Sequence, residues 1–260
     1  MALDPHAIPA ELPGLVRYAR YLTGDAAAAE DLVQDTVERA LRGASTFAEG
    51  SSVRTWLHRI MHHRFVDLTR ARAAIPVEDE VLAESVERNW RDDAYTLDPE
   101  VVLERTAVRE DLRDALVHVP ASLRSAVVLH DVEGLKSREV AEVLGVSLPA
   151  AKARLLRGRA LLLEVLSAGA ERPPITPGVP LRCWEARSRI GDYLDDELPV
   201  SDRATLERHL QGCPTCPGLY RSVVGLVDAL GDLHDPDSVV PPALARRLRG
   251  LTSSERSDGQ

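Results

Sequence analysis

Apart from one acidic interruption, apolar side chains return every third or fourth position from Leu15 to Leu166, a period that a helix buries on one face and a strand cannot. Leu15, Tyr18, Ala19 and Leu22 make the first stripe, and Thr23-Gly24-Asp25 breaks it and can cap a second helix. In that helix Leu32, Val33, Thr36, Val37, Ala40 and Leu41 share one face, with Glu30, Asp31, Gln34 and Asp35 opposite. A loop of small residues, Gly43 to Ser52, leads to a third helix from about Val53 to Arg72, striped by Trp56, Leu57, Ile60, Phe65 and Leu68. Residues 12–72 therefore read as a bundle of three or four helices. The apolar content is mostly Leu, Val and Ala with only 4% aromatic residues, which favours an all-α fold. A chain of 260 residues suits two or three such modest domains.

Between Val77 and Asp111 twelve acids face four arginines, so this segment alone carries nearly all of the chain's net charge of -9. With Pro76, Pro99 and weak periodicity, residues 73–100 read as an acidic linker with at most one transient helix. Helices resume near Val101. Leu112, Ala115, Leu116 and Val119 form one face, Pro120 ends that helix, and Leu123 to Val132 forms the next. Gly134 breaks the chain, Ser137 is placed to cap a short helix through Leu144, and Gly145-Val146-Ser147 turns into a last helix from about Leu148 to Leu166, closing a domain over 101–167. Four prolines between Arg172 and Pro180 mark residues 168–180 as an extended tether. A third module spans 181–231, and the tail 232–260 is expected to hold little order beyond a short basic helix at Ala243 to Leu251.

The opening residues lack a basic start and an apolar run, and no stretch reaches the ~20 apolar residues a bilayer requires. The expectation is a cytoplasmic protein with no membrane partner, in which the three cysteines are free thiols or metal ligands. No phosphate-binding glycine loop or nucleophile elbow is present, and the chain reads as a non-enzyme.

Net acidity argues against a nucleic-acid partner until its distribution is considered. Two helices joined by a short glycine turn over Ser137 to Arg159, with Ala141 in the first and Val146 at the turn, match a helix-turn-helix. The second helix carries Lys152, Arg154, Arg157 and Arg159, while Ala151, Leu155 and Leu162 pack inward. A basic helix of this kind either presents a solvated face or enters the major groove by its first turn and holds phosphates along its length; the paired helix and turn favour the groove.

These residues, taken with Ala-Glu-Asp-Leu-Val-Gln-Asp-Thr at 29–36, Trp56-Leu57 with Arg59-Ile60, Asp67, Leu112 to Pro120, and Val140-Ala141 through Lys152-Ala153-Arg154-Leu155, resemble extracytoplasmic-function sigma factors over about Leu12 to Leu166. The resemblance implies that residues 12–72 are sigma region 2, gripping core RNA polymerase and opening the promoter -10 element, and that 101–167 are region 4, reading the -35 element. It assigns Asp31, Gln34, Asp35 and Glu38 to polymerase, although such residues also make an ordinary solvated helix face. It assigns the loop Phe47 to Val53 and the helix bearing Arg54, Arg59, His63, Arg64, Arg70 and Arg72 to the -10 DNA, with Ser147 joining the -35 contacts. Phosphates near a flipped base need such cations. Trp56 and Phe65 are either stacking residues or, as aromatics on an apolar stripe usually are, core. His63 stands where many relatives have Asn, and Pro149-Ala150-Ala151 replaces a commoner Gly-Thr-Val; both departures bear on promoter preference.

His209, Cys213 and Cys216 spell H-x3-C-x2-C, with Cys183 one helix earlier, so one turn and its loop can aim three ligands at a point that Cys183 closes into a tetrahedral Zn2+ site. The other reading is three cysteines buried as apolar residues. With Ile190 to Leu198 and Glu207-Arg208-His209-Leu210, the segment resembles the zinc-binding anti-sigma domain, which relatives use, usually on a separate chain, to hold a sigma factor off polymerase. The resemblance implies a module that packs on the sigma domains of its own chain and tunes their access to polymerase or promoter DNA, with thiol oxidation as a further option. Two other classes stay open: a stand-alone helix-turn-helix regulator, and a metal- or thiol-sensing regulator.

Overall fold

The computed structural model describes residues 7–47, 51–72, 88–91, 95, 97–167, 183–213, 215–234 and 240–254. Among them every regular element is helical and no strand occurs. The tether at 168–180 and most of the acidic 73–87 stretch lie outside the described residues, as do 48–50 of the loop assigned to -10 DNA. The chain divides into two compact units, one made of 1–74, 128–151 and 234–260, the other of 75–127 and 152–233.

In the first unit α1 (Ile8–Thr23), α2 (Ala26–Arg42) and α3 (Val53–Arg72) pack on one another. The break between α1 and α2 works as its residues dictate. Gly24 takes a left-handed φ of 68° and returns its N–H to the Arg20 carbonyl, and Asp25 accepts the Ala28 N–H at 2.8 Å to cap α2. Leu15, Tyr18, Leu32, Val33, Trp56, Leu57, Met61 and Phe65 fill the core. Trp56 and Phe65 are thus packing residues, and Phe47 meets the Trp56 ring edge-on at 5.4 Å.

An ion cluster lies inside this unit. Arg17 donates through Nε and Nη2 to both carboxylate oxygens of Glu133 at 2.6 and 2.7 Å, and Arg54 reaches the same residue at its backbone carbonyl and, at 3.4 Å, its carboxylate. Glu133 follows a π turn, Val128–Val132, that continues α6 (Ala121–Val127). Beyond Gly134 (φ 68°) begins α7 (Ser137–Leu144). The cap of α7 differs from expectation: Lys136 is the cap residue, its N–H donating to the Glu139 carboxylate at 2.9 Å, while Ser137 lies within the helix with its hydroxyl buried. The Glu139 carboxylate reaches back to the N–H of the cap residue, which is the glutamate half of a capping box. α7 rests on α3, where Thr55 donates to Glu139 at 3.2 Å and Arg59 to Glu142 at 3.4 Å.

The tail holds the basic helix expected at 243–251, extended by a few residues. α12 (Pro242–Ser254) buries Leu244 and Leu248, packs against α2 and pairs Arg247 with Glu30 at 2.7 Å. The preceding His234 binds the Val132 carbonyl through Nδ1 at 2.8 Å.

The second unit holds α4 (Pro99–Thr106), α5 (Arg109–His118), α6, nearly all of α8 (Leu148–Ser167), and α9 (Cys183–Leu194), α10 (Val200–Gly212) and α11 (Cys216–Asp232). Asp98 caps α4 by accepting the Glu100 N–H at 3.0 Å with Pro99 at the first helical position, so this helix starts slightly before the expected Val101. α5 stops at His118 because Val119 precedes Pro120 and is driven to extended geometry (φ -79°, ψ 132°). At Gly158 a Cβ would sit 2.6 Å from Val127 and 3.1 Å from the Leu123 carbonyl, so only glycine lets α8 approach α6 this closely. The stretch read as linker carries core: a helical turn covers 88–91, Trp90 is 1% exposed, and Tyr95 and Leu97 are buried.

Candidate nucleic-acid interface and metal centre

On α2, Asp31 is exposed, Gln34 donates to Glu38 at 3.1 Å, and Glu38 also receives Arg42 at 3.4 Å. Asp35 accepts Arg39 at 3.1 Å and is clasped by Arg64 of α3. Burial opposes its ionisation, but the two guanidiniums outweigh it and hold the carboxyl below the usual range. Arg59, Arg64 and the exposed His63 come together around a shallow hollow with Arg39, Trp56 and Asp67. Arg54 is drawn instead into the Glu133 cluster, and the side chains of Arg70 and Arg72 lie outside the described residues.

On α8, Ser147 accepts the Ala150 N–H at 3.4 Å in the manner of a helix cap, and Arg154 and Arg157 are half-buried. Burial pulls Arg154 below its ordinary pKa. Lys152 is held between two carboxylates, 2.8 Å from Asp192 and 2.8 Å from Glu197. Burial works against its charge, but those acids raise its pKa overall. Arg159, expected on the phosphate-facing surface, is only 2% exposed and pairs with Asp195 at 3.7 Å. Helix periodicity placed Arg159 on a cationic face; the packing of α9 covers that face. An added Cβ at Gly191 would lie 3.3 Å from Arg159 Nη1.

The four predicted metal ligands converge. One ligand atom each from Cys183, His209, Cys213 and Cys216 lies within 4.8 Å of all the others, and the three buried cysteines form no disulfide. Cys183 and Cys213 sulfurs stand 3.7 Å apart. Sulfurs ~2.3 Å from a shared tetrahedral centre stand about 3.8 Å apart, whereas a disulfide requires about 2.05 Å. The donor set and spacing therefore fit a tetrahedral zinc. Burial pushes the Cys183 thiol up, aided by its sulfur neighbours. Burial also opposes the Cys213 thiolate, but the Thr215 hydroxyl and the N–H of Cys216 outweigh it and hold that thiol low. Burial raises Cys216 despite Arg187 within hydrogen-bonding reach of its sulfur.

Arg187 is a residue that sequence reasoning missed. It is 0% exposed and donates to the carbonyls of Trp90 at 2.8 Å and Tyr95 at 3.2 Å, so one guanidinium joins the Cys216 sulfur to the segment before α4. The available signal was a pair of aromatics, Trp90 and Tyr95, inside an otherwise acidic stretch.

Comparison with known proteins agrees with this arrangement. Residues 8–62 match the family described as the sigma2 domain of PhyR, 109–162 match Sigma-70, region 4, and 183–216 match a family described as a zinc-finger. The chain is 36% identical over 151 residues to the ECF RNA polymerase sigma factor SigE of Mycolicibacterium smegmatis, a match covering 58% of this chain but only 56% of that protein. It is 33% identical to RNA polymerase sigma factor YlaC of Bacillus subtilis over 56% of this chain and 82% of that one. To ECF RNA polymerase sigma factor EcfG of Rhodopseudomonas palustris it is 31% identical over 63% and 86%. With both sigma regions in order and most of two such relatives spanned, this chain belongs to the family of ECF RNA polymerase sigma factors and carries a zinc-finger domain after the sigma regions.

Proposed function

We infer that this chain is a promoter-specificity subunit, a non-enzymatic partner of core RNA polymerase working in the cytoplasm. In this reading Asp31, Gln34, Asp35 and Glu38 of α2 meet polymerase, while Arg59, His63 and Arg64 of α3, with Arg70, meet the -10 DNA and Arg54 braces that helix on Glu133. Ser147 and the first turn of α8 enter the -35 DNA, and Lys152, Arg154 and Arg157 hold its phosphates along the helix, with Arg159 joining them once Asp195 releases it. Cys183, His209, Cys213 and Cys216 hold Zn2+, which supplies structure to a module that tunes the rest in cis.

The observation that carries this reading is Arg64 on Asp35, which joins the polar face of α2 and the basic helix α3 into one continuous surface. A stand-alone helix-turn-helix regulator needs no such surface beside its DNA reader, whereas a subunit that bridges an enzyme and a melted strand needs both. Co-purification of the full chain with core polymerase, followed by run-off transcription from templates selected for the reconstituted holoenzyme, tests it. Charge reversal at Arg154 and Arg157 should abolish initiation while leaving polymerase association intact. Failure of the wild-type chain to associate with polymerase sinks the proposal.

A further inference from the structure

The turn that ends α9 is built to present acids. Asp195 returns its N–H to the Gly191 carbonyl at 3.0 Å, and Glu197 and Leu198 return theirs to Asp192 at 2.9 and 3.0 Å. Asp196 between them takes a left-handed φ of 57°, a conformation that a short polar side chain tolerates. Leu198 is buried with Ala186 and Leu206 and pins the turn to the module's core. Asp196 turns away to pair with Arg203 at 2.9 Å, while Asp192 and Glu197 bracket Lys152 at 2.8 Å each and Asp195 takes Arg159. The N···O spacing at Lys152 is that of an ammonium on a phosphate oxygen.

We propose that Asp192, Asp195 and Glu197 form a phosphate mimic that occupies the cations of α8 and excludes DNA from it, and that Cys183 couples this mask to the metal centre. The proposal rests on the reading of α8 as a DNA-recognition helix. Three carboxylates meet two cations, so an approaching duplex finds Lys152 and Arg159 occupied and an acidic excess in their place. The coupling runs through α9 itself. Cys183 is its first residue and Asp192 lies nine positions on, about 14 Å along a rigid helix. Whatever detaches Cys183 from His209, Cys213 and Cys216 also frees the acidic turn.

The test uses the full zinc-loaded chain and a fluorescein-labelled 40-base-pair duplex of mixed sequence, with affinity read by anisotropy across a potassium chloride series. The Asp192→Asn/Glu197→Gln variant should bind more tightly, and its plot of log affinity against log salt should steepen by about 0.9 for the cation released. Between 1 M and 0.1 M salt that slope change amounts to about 8-fold. Adding Lys152→Ala should erase the gain. Chelation of the wild type should match or exceed the gain, and chelation of the double variant should add to its slope no more than about 0.9, for Arg159 released from Asp195. Unchanged or weaker binding by the double variant overturns the mask. If it misfolds, Glu197→Gln alone reads the same quantity from a turn position. Chelation that melts the module by circular dichroism without strengthening DNA binding overturns the coupling. Arg157→Glu in the unmasked background separates the premises: no effect on DNA binding refutes α8 as the reader, whereas a clear loss there without tightening by Asp192→Asn/Glu197→Gln refutes the mask alone.

Discussion

Replacing Arg187 by methionine should weaken the metal centre and loosen the segment before α4 in the same stroke. The side chain is wholly buried and reaches the Trp90 carbonyl, the Tyr95 carbonyl and the Cys216 sulfur. A Zn2+ held by three thiolates and a neutral imidazole carries a net charge of -1, which one guanidinium beside Cys216 balances. Methionine matches the stem and removes that charge, and losing such an outer partner typically costs 10–100-fold in metal affinity, about 1.4 to 2.7 kcal/mol. Each orphaned carbonyl adds roughly 1–3 kcal/mol in the folded state if no water reaches it. Competition against a chelator of known zinc affinity measures the first effect, and hydrogen exchange over residues 88–97 measures the second. Zinc affinity within threefold of wild type, together with unchanged protection at 88–97, would refute the role given to Arg187.

Glu133→Gln should cost about 3 kcal/mol in urea unfolding of the first unit, because Arg17 keeps its buried charge and loses a bidentate partner; a loss below 1 kcal/mol contradicts this. His58 lies buried between Glu133, Arg17 and Arg54 with Nδ1 on the Arg54 carbonyl at 2.8 Å, and burial, only partly offset by Glu133, lowers its pKa. The unfolded chain therefore takes up the proton first as pH falls below about 6.5, so stability is retained above that pH and lost below it, by up to about 1.4 kcal/mol per pH unit. His58→Leu should flatten that part of a melting-temperature profile, and an unchanged profile would exclude His58 as its source. Zinc removal should unfold α9–α11, since structural zinc supplies on the order of 10 kcal/mol to a domain this small; helicity by circular dichroism that survives a strong chelator would count against a structural metal.

Features governed by near neighbours were legible in the sequence. Gly24 and Asp25 announce the α1–α2 break, and H-x3-C-x2-C announces three of the four converging ligands, because each depends on residues a few positions apart. What stayed hidden depends on partners distant in sequence. Periodicity gives the face on which Lys152 and Arg159 lie, but not that acids about 40 residues later would claim it. Likewise the charge of 73–100 suggested a linker, since nothing local reveals that Arg187 reaches the carbonyls of Trp90 and Tyr95. The cap of α7 falls one residue before Ser137 because Glu139 reaches back to the Lys136 N–H and fixes the start of the helix there.

The packing of α12 on α2 has a bearing on time as well as space. Leu248 is synthesised more than 170 residues after α3 is complete, a lag of roughly ten to thirty seconds at ordinary elongation rates. Throughout that interval the nascent chain displays α2 with Glu30 unpaired and without the two leucines, worth about 1.5–3 kcal/mol each, that later cover it. A ribosome-bound chain and a released one are consequently distinct species at this surface, and a fragment truncated at the tether corresponds to the former.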